Sequence, residues 1–146
     1  FSPDTAMTFD LDVARAQSMD NHVYYLQYAH ARMRSLERFA AEQGVVRGPL
    51  EAADLALLTH PAEVELLRQI DRLGEEVAEA VARRASHRLT GFGQEFATAF
   101  HRFYADCRIV TDDPSTTQAR LWLVEAAKSV ILAILELLAI SAPETM

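Results

Sequence analysis

The chain is short of several things that whole classes of protein require. It has one cysteine, Cys107, in 146 residues, so it can form neither an internal disulfide nor a cysteine-rich zinc site, and a disulfide-stapled secreted scaffold is excluded. A reducing cytoplasm is the compartment that this usage fits. Lysine is almost missing: of 14 basic residues only Lys128 is Lys and the rest are Arg, so nearly all positive charge is planar guanidinium, able to stack and to hydrogen-bond in a fork. Positive charge is itself scarce, with 21 acidic residues and a net charge of −7. That balance removes long-range attraction to phosphate or anionic lipid, and any nucleic-acid binding has to be local. Uninterrupted apolar runs are lacking too. Residues 121–140 are long enough to span a bilayer, but Glu125, Lys128 and Glu136 break the run, and each is costly at the membrane centre, so no simple transmembrane helix and no membrane partner is expected. With 5 Gly and 5 Pro the composition is neither collagenous nor disordered. The first residues show no basic start followed by an apolar run, which is not the pattern of a signal peptide. A start at Phe1 instead of Met suggests processing or a segment of a longer protein.

What is present is half hydrophobic and of the length of one domain. Asp20 and Asn21 stand before a helical pattern over residues 22–43, with Gly44 where a C-terminal cap belongs. Its apolar stripe reads Tyr25, Tyr28, Ala29, Met33, Leu36, Phe39, Ala40, at the three- and four-residue steps of one helix face. A short helix is predicted over residues 11–19 and another over residues 50–58. Pro61 opens the next helix, with His60 as its cap and Glu63 at its positive end, and a kink is expected near Gly74. Leu89, Phe92, Phe96, Phe100, Phe103 and Cys107 mark a further amphipathic helix. After the turn cluster Thr111-Asp112-Asp113-Pro114-Ser115, a helix apolar on most sides over residues 116–139 is expected to be the central element. No run alternates with period two. The predicted class is all-α, a helix bundle.

Signatures of catalysis and metal binding are missing. No Asp or Glu stands three residues before any of the five His, so the Glu-x-x-His pairs of di-iron bundles are not there, and no structural metal is expected. Gly91-Phe92-Gly93 lacks the third glycine of a dinucleotide loop, and no glycine loop precedes Lys128. Cys107 lies on the phenylalanine stripe and reads as a small buried hydrophobe.

The informative residues are aromatic. Val23-Tyr24-Tyr25-Leu26-Gln27-Tyr28-Ala29-His30-Ala31-Arg32 crowds three tyrosines, an amide, a histidine and an arginine into the first turns of one helix. At helical spacing, Tyr25 and Tyr28 fall on the apolar stripe, while Tyr24, Gln27, Arg34 and Arg38 fall on the opposite, solvated side, where Arg34 and Arg38 would pair with Glu37, Glu42 and water. Arg32, at the edge of the apolar stripe, requires a specific partner. Flat rings, amides and guanidinium groups at a helix start suit a single-stranded nucleic-acid loop.

At these residues the chain resembles the C-terminal region of arginyl-tRNA synthetases. The similarity starts at Phe9-Asp10-Leu11-Asp12 and the Asp20 to Arg32 run. It continues through His60-Pro61-Ala62-Glu63-Val64-Glu65-Leu66-Leu67, Phe103-Tyr104-Ala105-Asp106-Cys107-Arg108-Ile109-Val110 and Ala119-Arg120-Leu121, and it closes on Ala142-Pro143-Glu144-Thr145-Met146. The resemblance implies a helix bundle of the class I aminoacyl-tRNA synthetase anticodon-binding type. Residues 1–21 would be a linking segment with a short helix, and residues 22–146 the anticodon-binding domain. It further implies a partner, the anticodon loop of an arginine tRNA, and a catalytic domain elsewhere in the parent enzyme that uses ATP, Mg²⁺ and arginine. This chain has no counterpart of the family's His-Ile-Gly-His-like and Lys-Met-Ser-Lys-like motifs, so no cofactor is expected in it and it should be inactive as a ligase by itself. By the same resemblance the anticodon bases would be held by Tyr24 or Tyr25, Tyr104 and Met146, with Arg108 close by. Gln27, Tyr28 and Arg32 complete the candidate set. Two positions depart from the family pattern: His22 stands where proline is common, and Thr145 where arginine is common. A helical protein-interaction module, and the homologous domain of another class I synthetase, are the alternative readings of the same pattern.

Overall fold

The structure is a computed structural model that describes residues 21–146. The expected helix over residues 11–19 and most of the expected linking segment lie outside the described residues. Among the described residues there are four long helices and no strand: α1 (His22–Glu42), α2 (Pro61–Ala82), α3 (His87–Asp106) and α4 (Pro114–Leu137). None of them is long and apolar enough to cross a membrane.

Each helix begins where local chemistry can satisfy its first free N–H groups. The Asn21 side chain accepts from the Val23 N–H at 3.0 Å to start α1. Asp113 accepts from the N–H groups of Ser115 at 3.3 Å and Thr116 at 3.0 Å before Pro114 opens α4. At α2 the cap is reciprocal: the Ala62 N–H donates to His60 Nδ1 at 3.2 Å, and the His60 N–H donates to Glu63 Oε2 at 2.9 Å, the capping-box arrangement. α1 closes at Gly44, whose φ of +72° lets the Val45 N–H reach back to the Ala40 carbonyl at 2.9 Å, the left-handed closure that glycine adopts without a Cβ penalty.

One sequence expectation needs correction. Residues 50–58 do not form one helix but two single 3₁₀ turns, Leu50–Ala52 and Leu55–Leu57. The loop just before this segment is pinned to α4, where Gln118 donates to the Val46 carbonyl at 2.9 Å and accepts from the Gly48 N–H at 2.8 Å. α2 runs from Pro61 to Ala82 without a break at Gly74, an exposed position.

The core is built from Leu26, Ala29, Met33 and Leu36 of α1, Leu66 of α2, Phe92, Phe96, Phe100 and Phe103 of α3, and Val124, Ile131, Ile134 and Leu135 of α4. The centre is shared: α3 and α4 each pack on the other three helices, and α1 and α2 flank that pair. The approach of α1 to α3 is close at Gly93, where a Cβ would stand 2.9 Å from Leu26 Cδ2 and 3.3 Å from Ile134 Cγ2, so any larger residue would force these buried side chains to shift.

One buried charge ties these elements together. Glu63 is 1% exposed, and its Oε1 accepts from Arg120 Nε of α4 at 2.7 Å. A second nitrogen of Arg120 donates to the Arg108 carbonyl at 2.6 Å, fixing the α3–α4 connection. Glu63→Ala removes the cap of α2 and strands the Arg120 guanidinium, and it should cost ~3–5 kcal/mol, as breaking a buried pair does. Glu79→Ala, which removes an exposed partner of Arg83, should cost under about 1 kcal/mol. Urea unfolding of the two variants checks this, and equal midpoints would contradict it.

Candidate nucleic-acid interface

Two clefts adjoin on the surface of α1 and share Arg32 and Ser35. The first, of about 390 Å³, lies between α1 and the end of α3, with Arg32, Phe39, Tyr104 and Arg108 around a floor of Leu36 and Ile109. The second, of about 260 Å³, lies between α1 and the chain's end and is lined by Tyr28, Arg32, Arg38, Thr145 and Met146.

Arg32 stands at their junction. Its Cζ is 4.7 Å from the Tyr104 ring centroid and 5.2 Å from that of Tyr28. Its Nη1 donates to the Tyr104 hydroxyl at 3.4 Å and its Nη2 donates to the Tyr28 hydroxyl. The partner that the sequence required for Arg32 is thus a pair of aromatic rings, a cation–π arrangement that leaves the charge uncancelled. Arg38 donates to Ser35 Oγ at 3.0 Å and to the Glu144 carbonyl at 3.4 Å, while the exposed Arg108 contributes only its carbonyl to the Arg120 bond. Among the described residues, Arg32, Arg38 and Arg108 have no carboxylate partner, whereas every other described Lys or Arg except Arg84 has one. In a chain of net charge −7, three of the four described arginines without a carboxylate partner are gathered at one place.

Behind the tyrosines lies His101. Its ring centroid is 5.2 Å from that of Tyr25, 5.5 Å from Tyr28 and 5.6 Å from Phe100, and its Nε2 is buried without a hydrogen-bond partner among the described residues. Burial first, and the Arg32 charge second, push its pKa down to about 4, so at neutral pH it is an uncharged wall behind the cation.

The candidate residues divide. Tyr28, Arg32, Tyr104, Arg108 and Met146 line the paired clefts. Tyr25 is turned toward α3, its hydroxyl 3.2 Å from Thr98 Oγ1, and reaches the clefts only through His101. Tyr24 is half-buried and lines neither cleft. Gln27 is not solvated as its helix face suggested: its Nε2 donates to the Ser141 carbonyl at 2.8 Å. Arg34 pairs with Glu37 at 2.8 Å, as its helix face suggested, and also meets Glu144; Arg38 meets Glu144 and Ser35, and neither arginine bonds to Glu42. Phe39, read as core from the apolar stripe, is 50% exposed at the mouth of the first cleft, a second ring beside Tyr104 that periodicity alone assigns to the interior. Cys107 is buried, and burial pushes its thiol up, away from the thiolate that nucleophilic chemistry needs. Among the described residues no group of three or more His, Cys, Asp or Glu could hold a metal ion.

Fold and site together define a helical domain with a ring-lined, locally cationic surface suited to single-stranded nucleic acid. The DALR anticodon binding domain family matches residues 26–146, and the chain belongs to that family. It is 48% identical over 143 residues to the arginine–tRNA ligase of Moorella thermoacetica and 46% identical over 145 residues to that of Symbiobacterium thermophilum. These matches cover 98% and 99% of this chain but 26% of each relative, so the chain spans about a quarter of their length. Among solved structures, the arginyl-tRNA synthetase of Thermus thermophilus matches with a TM-score of 0.70 at 31% identity, covering 84% of this chain and 21% of that one. A Campylobacter jejuni chain described as an arginyl-tRNA synthetase matches with a TM-score of 0.83 at 25% identity, covering 100% of this chain and 31% of that one.

The His101 environment carries a pH dependence. Because its folded pKa lies below the ordinary value of 6.5, the unfolded chain binds the proton first, so stability falls as pH drops from about 6.5 toward 4. In a histidine NMR titration the His101 ring signals should stay on the neutral side down to about pH 5, and Arg32→Gln should raise the midpoint slightly, since burial is the larger cause. A midpoint near 6.5 would mean that the ring is open to water.

Proposed function

We propose that this chain is the tRNA-binding part of an arginine–tRNA ligase, and that the paired clefts receive the anticodon loop of an arginine tRNA. The observation that carries the reading is the gathering of Arg32, Arg38 and Arg108, without carboxylate partners, around the exposed rings of Tyr104 and Phe39. In this proposal Tyr104 and Phe39 offer stacking faces, Arg38 and Arg108 meet backbone phosphates, and Arg32 holds the Tyr28 and Tyr104 rings while presenting its charge to the loop. The thioether of Met146 presses on a base from the other side. Tyr24, Tyr25 and Gln27 act behind this surface. Residues 22–146 then form the binding domain, and residues 1–21 link it to a catalytic domain where ATP, Mg²⁺ and arginine act in the cytoplasm.

The chain's net charge of −7 is consistent with this use. It weakens non-specific attraction to duplex or backbone elsewhere, and it leaves attraction where the rings are.

The test uses the complete ligase. Tyr104→Ala should weaken tRNA use by roughly 10- to 100-fold, the equivalent of losing a stacked base, and leave arginine and ATP binding unchanged. Unchanged tRNA use alongside lowered folding stability would return Tyr104 to a packing role. Deleting Met146, which is 52% exposed, should reduce discrimination against a tRNA with a swapped anticodon far more than it lowers stability. Equal efficiency of both enzyme forms on both tRNAs would make the terminus a tail.

A further inference from the structure

After α4 the chain turns back and runs along α1 in the same direction as that helix. Gln27 Nε2 donates to the Ser141 carbonyl at 2.8 Å and to its hydroxyl at 3.1 Å. His30, 3% exposed, stands 2.8 Å through Nδ1 from the Pro143 carbonyl. A carbonyl only accepts, so Nδ1 is the donor in this bond. Arg34 Nη2 donates to both carboxylate oxygens of Glu144, at 3.0 and 3.2 Å, and Arg38 Nη1 to the Glu144 carbonyl at 3.4 Å. Positions 27, 30, 34 and 38 follow the three- and four-residue steps of one helix face, so α1 presents a ladder of polar groups to successive residues of the tail. Ile140 and Ala142, on either side of Ser141, pack against the core. The ladder ends where Met146 lines the second cleft.

We propose that Gln27, His30, Arg34 and Glu144 are positioning residues that fix the register of the chain's end on α1 and thereby set Met146 as a wall of the tRNA-binding cleft. The inference rests on the proposed tRNA reading. The four act on the ligand through Met146 and line neither cleft themselves. A free terminus would have to be ordered at the moment of binding, and that entropy would be taken from affinity. The ladder orders it beforehand. The Glu144 side chain is 65% exposed, so its loss frees the tail without opening the core.

The experiment compares Glu144→Ala, Glu144→Asp, Met146 deletion, the Glu144→Ala variant lacking Met146, and Arg32→Ala, all in the complete ligase. Removing a negative charge beside a polyanion would by itself tighten tRNA binding, so a weakening reports lost position. Glu144→Ala should raise KM for tRNA by about threefold to tenfold with kcat and the arginine and ATP constants unchanged, and Glu144→Asp should retain most of the wild-type value. Because Glu144 acts through Met146, its replacement should add little once Met146 is gone, a non-additivity expected of groups that share one function. An unchanged or lowered KM for Glu144→Ala, or an effect that adds in full to the Met146 deletion, overturns the positioning role. Arg32→Ala separates the two proposals: if it impairs tRNA use while Glu144→Ala does not, only the ladder is wrong, and if it leaves tRNA use intact, the tRNA reading and the ladder fall together.

Discussion

Glu63 and Arg120 stand 57 residues apart in sequence and share one buried ion pair, on which the geometry of the binding surface depends. A carboxylate taken out of water is tolerated only when it is paired and its oxygens are hydrogen-bonded. Glu63 meets both conditions by capping α2 with one oxygen and receiving Arg120 with the other. The same guanidinium then holds the Arg108 carbonyl, just after α3 ends at Asp106. That end carries Tyr104 and Arg108, so a contact in the interior determines where the exposed ring and cation stand relative to Arg32 on α1. The pair is costly in isolation, and its use here is to make one arrangement of three helices much better than its neighbours.

A second, half-buried network shows how an acidic chain ties most of its cations to carboxylates. Burial alone would raise the pKa of the Glu125 carboxyl, but hydrogen bonds from Lys128 and Arg47 outweigh it and hold the pKa at about 2. Lys128 also bonds to Glu37 of α1, and the Arg47 guanidinium lies 4.5 Å from the Trp122 ring centroid. Each of these cations is neutralised by a carboxylate it packs beside. Arg32 receives the opposite treatment, since rings and hydroxyls orient it without cancelling its charge. The contrast between these two arginines, one with carboxylates and one without, distinguishes a structural cation from one available to a ligand.

Much of this architecture was legible in the residues themselves. Asn21 and Gly44 bound α1 because capping is local chemistry, readable from a few neighbours. The phenylalanine stripe placed α3, and the Pro114 turn cluster placed α4, for the same reason. Less legible were features set by contacts distant in sequence. Residues 50–58 have the composition of a helix, yet Gln118, some 70 residues on, holds the preceding loop and leaves them as two 3₁₀ turns. Phe39 fits the apolar stripe of α1 but extends past the edge of the core. Periodicity can say which face a side chain is on, and it cannot say where the opposing element ends. The clefts were legible only in part. Tyr28, Arg32, Tyr104, Arg108 and Met146 line them, while the split between Tyr24 and Tyr25 needed the position of α3.

The polar face of α1 is the sharpest case. Gln27, Arg34 and Arg38 read as solvated, with only local partners such as the Glu37 that Arg34 does meet, but each also has a partner among residues 141–144, more than 100 positions away. A face of four polar groups, each able to donate to a carbonyl or carboxylate, is a poor packing surface for a helix and a good one for an extended chain, whose carbonyls recur along its length. His30 adds the decisive detail: a histidine buried on that face needs an acceptor, and a solvated face offers no reason for its burial. The stripe therefore carries the imprint of the tail that lies on it, and the tail in turn brings Met146 beside Arg32. The residues that order the terminus and those that line the clefts alternate along the same helix, so a change in how α1 packs would move both at once.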